Sequence, residues 1–303
     1  MKYTVIGHFA ADIRQYEDGS EHRTYGGILT TVCALASLAG PQDAVYPVFG
    51  VGERDYYGVK TALAAYPNVD IAGIYSYPGE SNEVRYTLKD GMWTGRGKRN
   101  SDPIPFQRIE PFLNVNGVLI NMMSGFDITI DTLDEIRMAV RPKATPIHLD
   151  FHNLSLGFNP DGSRFRRPMS DWRRWCFMIN SVQMNDEEAA GLTFEYTEID
   201  QLVRQIVPLM VQAFCVTHAE RGATVYEVGH KSATVHEIAG IPAATASDTI
   251  GCGDIFGAAF LFGYCALKNY ADAGAFANRA ASLCAQTNGD ERFSAIAQMK
   301  VSE

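Results

Sequence analysis

Residues 248–260 read DTIGCGDIFGAAF, three small residues leading into a carboxylate and then an apolar run. The first amides of a helix lack intrahelical partners, and the aligned peptide dipoles add partial positive charge there. Gly251 and Gly253 have no Cβ, so the turn can be tight and an anion can come close. Gly251, Cys252 and Gly253 therefore predict an anion hole of the kind that cradles a phosphoryl group. Asp254, in the first turn, is placed to take a proton from a hydroxyl as its oxygen attacks phosphorus. The segment after it, IFGAAFLFGYCAL, is apolar nearly all round and predicts a buried helix that holds the site rigid. An ordinary helix start also favours Gly-x-Gly and a first-turn Asp, so further features must carry the argument.

The run NDEEAAGL at 185–192 places Asn185 and Glu188 three apart, on one face of a helix beginning there. Both can reach a Mg²⁺ ion or its waters, as a hard cation beside nucleotide phosphates requires. The same spacing also suits a capping box, and the two roles can coexist. HLDFH at 148–152 alternates His148, Asp150 and His152, the pattern of a metal site on one strand face and the basis of a zinc-hydrolase alternative. No GxxxxGK[ST] occurs, and no GxGxxG follows the first strand, so neither a P-loop nor a dinucleotide fingerprint is present.

These residues need a scaffold, and the chain alternates strand and helix signals. Apolar, β-branched runs predict strands at 3–7, 44–52, 117–123, 146–151, 177–181, 213–219 and 223–228. Helix-like stretches lie between several of them, at 28–40, 129–142 and 198–211, the last shortened or kinked by Pro208. Such alternation predicts a mainly parallel sheet covered by helices. Two polar, aromatic-rich segments, 12–27 and 82–98, break the rhythm, and the second carries an Asp-Gly hairpin signal. They read as a small β-rich flap or as two surface loops. Arg85, Arg96 and Lys98 in the flap could meet a carboxylate or phosphate on a substrate.

A chain of 303 residues with 46% hydrophobic content can bury a substantial core. The net charge of −9 argues against a nucleic-acid binder. Residues 161–175 hold five arginines and two tryptophans, and read as a solvated basic loop with an amphipathic turn, or as a subunit contact. There is no apolar run long enough to span a membrane. The N-terminus reads as a first strand rather than a signal peptide. Six cysteines without any CxxC suggest reduced, buried thiols and a cytoplasmic setting.

With these motifs in order, the chain resembles the ribokinase-like (PfkB) family of sugar and nucleoside kinases over almost its whole length. DTIGCGDIFGAAF resembles the C-terminal signature, MNDEEAAGL the Asn-x-x-Glu motif, and YGGILTTVCALASLAG the N-terminal glycine pair with its helix. VGERDYYG resembles a Gly-x-x-Asp-aromatic-aromatic-Gly turn, and VTHAERGATVYE the nucleotide-side strand and loop, with Ala219 where Gly is usual. The resemblance implies an α/β three-layer fold, residues 1–303 forming a single domain, with a β lid from about 12–27 and 82–98. It makes Asp254 the catalytic base and Gly251, Cys252 and Gly253 the anion hole. Asp12, Gly26, Gly27, Thr31 and Arg85 are the candidate substrate contacts. Asn185, Thr217, Gly222 and Asn278 fall on the nucleotide side, and Asn185 and Glu188 position Mg²⁺. ATP is the expected donor. A monovalent cation, K⁺, has a place beside Asp248, the Ile250 carbonyl and the turn near Gly289. Ala10, Ile28 and Thr31 stand where polar sugar contacts are frequent, which points away from ribose toward another hydroxylated small molecule, with a nucleoside or an idle sensor as alternatives. No nucleic-acid or membrane partner is expected, and the lid leaves room for a homodimer.

Overall fold

The structure, a computed structural model, describes residues 1–89, 92–195, 198–242, 249–287, 289 and 291–301. In chain order the strands begin with β1 (Lys2–Ile6), β2 (Phe9–Gln15), β3 (Glu21–Gly27), β4 (Ala44–Gly52) and β5 (Ile74–Tyr77). They continue with β6 (Asn82–Lys89), β7 (Met92–Lys98), β8 (Gly117–Asn121), β9 (Ile147–Asp150) and β10 (Leu156–Phe158). The last five are β11 (Arg164–Arg166), β12 (Ser181–Asn185), β13 (Ala213–Thr217), β14 (Gly222–Val228) and β15 (Ala233–Ala239).

Nine of them form one sheet in the order β15-β14-β13-β12-β9-β8-β1-β4-β5. From β13 to β5 every pairing is parallel, and β14 and β15 close one edge antiparallel. Strands covered on both faces read as continuous apolar runs, and every residue of β8, GVLIN, is buried. Around the sheet lie α1 (Ile28–Leu38), α2 (Glu53–Leu63), α3 (Phe106–Ile109), α4 (Ile130–Val140), α5 (Trp172–Cys176) and α6 (Asp186–Ala190). They are followed by α7 (Ile199–Ile206), α8 (Cys252–Leu267), α9 (Tyr270–Gln286) and α10 (Glu291–Ile296). As its composition predicts, α8 is buried along most of its length, and Phe256 and Phe260 on it are fully enclosed. Pro208 ends α7 as expected, and the chain turns through a short 3-10 segment. Among the described residues no helix is long and apolar enough to cross a membrane.

A second, four-stranded sheet has the order β3-β2-β6-β7 and gathers most of segments 12–27 and 82–98. It stands over the C-terminal ends of the parallel strands. A two-stranded hairpin, β10–β11, reaches it by a bridge between Ser163 and Arg96.

The outcome differs from expectation in several places. Residues 177–180 are not strand: Met178 takes a left-handed backbone conformation (φ 55°), and the strand is SVQMN, beginning at Ser181. An apolar run alone does not fix where pairing starts. The GERDYYG segment opens α2 rather than forming only a turn. The basic segment 161–175 is not a plain solvated loop, since β11 lies in it and Trp172 and Trp175 are buried.

Candidate active site

Parallel strands end at one edge, and there the register brings polar side chains together. Asn121 at the end of β8 lies beside Asp150 at the end of β9, and Asp150 lies beside Gln183 on β12. Asn185 and Thr217, ending β12 and β13, are likewise paired. The start of α8 sits against this edge. Gln183 Nε2 donates to the carbonyl of Gly253 (3.0 Å), and Asn121 Nδ2 donates to Asp254 Oδ1 (2.8 Å).

Gly251 precedes the helix at φ 88°, a conformation that costs a residue with Cβ about 1–2 kcal/mol. The first helical bond runs from Ile255 N to Gly251 O (3.0 Å), so the amides before it lie outside the helical ladder. The amide of Cys252 closes a turn on Thr249 O (3.3 Å), and its thiol points away toward Cys284 Sγ at 3.2 Å. Of the three anion-hole residues, only Gly251 lines the open cleft.

That cleft, with a volume of about 90 Å³, lies between the lid and the body, and Asp12, Gly27, Tyr86, His152, Arg164 and Asp254 all line it. Asp254 is 7% exposed, and burial raises its pKa, opposed by the His152 charge and the Asn121 hydrogen bond. No arginine or lysine makes an ion pair with it among the described residues. Asp12, on lid strand β2, is pushed up to about 7 by burial, with Asp254 adding to the rise and Arg14 and Arg164 opposing it.

Other expected residues take different places. Thr31 is fully buried behind Asp254, where its hydroxyl accepts from Asn121 Nδ2 (3.1 Å). Gly26 packs directly under the Asp12 carboxylate. Arg85 is not brought to the cleft: on β6 its neighbours Val84 and Tyr86 face inward, so alternation turns it outward, where it pairs with Glu21 and Glu83. Lys98 pairs with Glu80 (2.9 Å) and Arg96 with Asp161 (3.9 Å), which settles all three flap cations on protein carboxylates.

Asn185 and Glu188 form the full capping box. Glu188 N donates to Asn185 Oδ1 (2.8 Å), and Asn185 N donates to Glu188 Oε2 (2.9 Å). Glu188 is 5% exposed and, like Asp150, has its pKa raised first by burial. Two buried carboxylates with hard oxygen donors at the sheet edge suit Mg²⁺. On the far side, Gly222 takes φ 103°, and Asn278 Nδ2 donates to Ala239 O (3.0 Å), tying α9 to β15. Ala219 stands at φ 51°, the left-handed conformation that glycine would take without strain.

The HLDFH alternation does not make a strand-face metal site. His148 turns into the core, bonded to Ser181 Oγ (2.8 Å) and packed on Phe260, and burial lowers its pKa to about 4. His152 lies beyond the strand at φ 37° and joins Asp150 and Asp254, with ligand atoms within 4.8 Å of one another. Asp248 lies outside the described residues. The carbonyl of Ile250, expected beside a monovalent cation, and that of Gly289, in the turn expected near it, both accept from the guanidinium of Arg292 (2.8 Å each). Asn121, His152 and Arg164 were not singled out for this site by their motifs. His152 carried a signal in HLDFH, whereas Asn121 and Arg164 converge on Asp254 only through the fold.

Comparisons with known proteins agree with this arrangement. Residues 155–295 match the model of the pfkB family carbohydrate kinases. No curated protein matches the sequence. Among solved structures, the chain is similar to a pyrophosphate-dependent kinase in the ribokinase family seen as a sulfate complex (17% identity, 97% of this chain and 100% of that one, TM-score 0.76). It is similar to ribokinase from Arabidopsis thaliana complexed with ribose and ATP (22%, 98% and 99%, TM-score 0.74). It is also similar to a Burkholderia thailandensis nucleoside kinase in complex with inosine (18%, 97% and 96%, TM-score 0.72). The ribokinase fold thus runs through the whole molecule, and the pfkB family model matches its C-terminal part, residues 155–295.

Proposed function

We propose that this protein is an ATP-dependent kinase that moves the γ-phosphoryl group to a hydroxyl of a sugar-like small molecule. One observation carries the reading: the Asp254 carboxylate opens into a cleft beside Gly251 and is held there by an amide donor rather than neutralised by a cation. In this reading Asp254 is the general base. Gly251 and the first-turn amides stabilise the charge that spreads over the transferred group. Asp12 accepts from substrate hydroxyls, and the lid over the cleft excludes water that would hydrolyse the donor. Glu188 and Asp150 would hold Mg²⁺, which supplies charge neutralisation for the phosphates. Thr217, Gly222 and Asn185 shape the donor side.

Replacing Asp254 by Asn keeps size and hydrogen bonding but removes the base. Turnover in an ATP-coupled assay over sugars, sugar acids and nucleosides should fall by roughly 10²–10⁴-fold, while substrate affinity measured calorimetrically holds. A variant with near-normal turnover removes Asp254 from the mechanism. Ligand binding without turnover on any acceptor, with either ATP or pyrophosphate as donor, makes the protein a sensor instead. Arg292 holds the two carbonyls that a monovalent cation would use. Exchanging K⁺ for Na⁺ is therefore expected to leave turnover unchanged, and a strict K⁺ requirement contradicts that assignment.

A further inference from the structure

We propose that the acceptor of this kinase carries an anionic group, a carboxylate or a phosphate, and that Arg164 and Arg99 receive it. The proposal rests on reading the cleft as the acceptor site and adds the substrate's chemical class.

Beside the Asp254 cleft lies a second, small cavity of about 30 Å³ that shares Ala10, Val84, Met123, Asn153 and Arg164 with its lining. Arg99 and Arg164 both line it. The β10–β11 hairpin builds this wall. It docks on β7 by a bond from Gly97 N to Gly162 O (3.1 Å), and a Cβ on Gly97 would stand 2.5 Å from the Phe158 ring. Phe158 is the cross-strand partner of Arg164, and the Arg99 guanidinium lies 4.1 Å from the centroid of the same ring. One aromatic side chain thus seats both cations, and glycine at position 97 lets it come close enough.

The charges nearby do not balance within the protein. Arg23, Arg85, Arg96, Lys98 and Arg166 each have a carboxylate within ion-pair distance. Arg164 has none among the described residues, and its Nε is buried without a hydrogen-bond partner. Arg99 donates to the Ser124 carbonyl (2.8 Å) and has no carboxylate in contact among the described residues. Glu83 also lines the cavity, but it is engaged by Arg23 and Arg85. Arg164 acts on Asp12 only through space, as the weaker of two cations that lower its pKa. Arg164 is half-buried with an unbonded Nε, Arg99 beside it is exposed and feels Asp127 through space, and their planar forks match the oxygens of a carboxylate or phosphate. An acceptor lying across both cavities would present its hydroxyl to Asp254 and its charged end to the arginines.

The test is calorimetric titration of the full chain with ribose and glucose, with ribonate and gluconate, and with the terminal phosphates of both sugars. At least one charged ligand is expected to bind about 10-fold or more tighter than its neutral parent. Arg164→Gln, checked for an unchanged melting temperature, should bring that ligand down to the affinity of the parent. Arg164→Lys should recover only part of the loss, because a point charge replaces a fork. Preference for the acids or for the phosphates decides which anion the site takes. The proposal is overturned if no charged ligand is preferred, or if the preference survives in Arg164→Gln. Charge-selective, Arg164-dependent binding without phosphoryl transfer would instead remove the kinase reading and leave this one standing. Turnover confined to neutral sugars would do the reverse.

Discussion

In the proposed mechanism the Asp254 carboxylate depends on the groups that oppose its burial, the His152 charge first and then one hydrogen bond. A carboxylate this buried drifts toward its neutral form, which is useless as a base, and donors restrain the drift. Asn121 supplies one donor, and the same Nδ2 also reaches the Thr31 hydroxyl, which fixes the amide from behind. In the proposed mechanism Asn121 is a positioning residue that orients and tunes Asp254. Asn121→Leu keeps the volume and removes the donor. The expected result is a fall in kcat of about 10–100-fold with substrate affinity retained, together with an acid limb displaced to higher pH. The displacement follows because the bond from Asn121 lowers the Asp254 pKa, so its loss lets burial raise the value further. A pH–rate profile that drops without moving would make Asn121 a packing residue only.

The elements explain which parts of the site could be read along the chain. The turn at Gly251 and the helix start bearing Asp254 were legible because they are contiguous, whereas the turning away of the Cys252 thiol was not. The Asn185–Glu188 pair was equally local, and both its readings rest on one capping box. Asn121 was not legible, since it matters only because β8 and α8 meet across 133 positions of sequence. Arg85 went to the wrong face although the alternation of β6 was there to be followed, with Val84 and Tyr86 inward. Arg164 was hidden inside a basic stretch whose members diverge. Arg164 enters the cleft, Arg166 goes to Glu188 and Arg174 to Asp131 and Asp134. The capping box also allows structure and function to be separated. Asn185→Ser retains an N-cap acceptor, whereas Asn185→Ala loses it and should cost about 1 kcal/mol in denaturant unfolding. The Ser variant should match the wild type in stability. If it nonetheless loses turnover at limiting Mg²⁺, Asn185 serves the donor site as well as the helix. Equal turnover would confine Asn185 to capping.

At the scale of the whole molecule, lid and body face each other with like charges. Asp12 stands on lid strand β2 and Asp254 on α8 of the body; burial first, and the Asp254 charge after it, raise the energy of ionising Asp12 in the cleft. The sign of the resulting pH dependence is fixed. Asp12 has a folded-state pKa of about 7, well above that of an unfolded aspartate at about 3.9, so between these values the folded protein binds the extra proton. Stability from this group is therefore fully present below about 3.9 and is lost as pH rises from there to about 7. The net charge of −9 acts in the same direction, because fewer ionised carboxylates mean less self-repulsion. The melting temperature should fall as pH is raised from about 5 to about 7, and Asp12→Asn should flatten that slope and melt higher than the wild type at the upper end. A wild-type melting temperature that climbs through this window, or a slope unaltered in Asp12→Asn, would mean that Asp12 is not held at high energy in the folded state. Where the slope does depend on Asp12, a ligand that donates hydroxyl hydrogens to it should stabilise most at alkaline pH. There the carboxylate is ionised, and hydroxyl hydrogens donated to it offset the cost of holding its charge in the buried cleft.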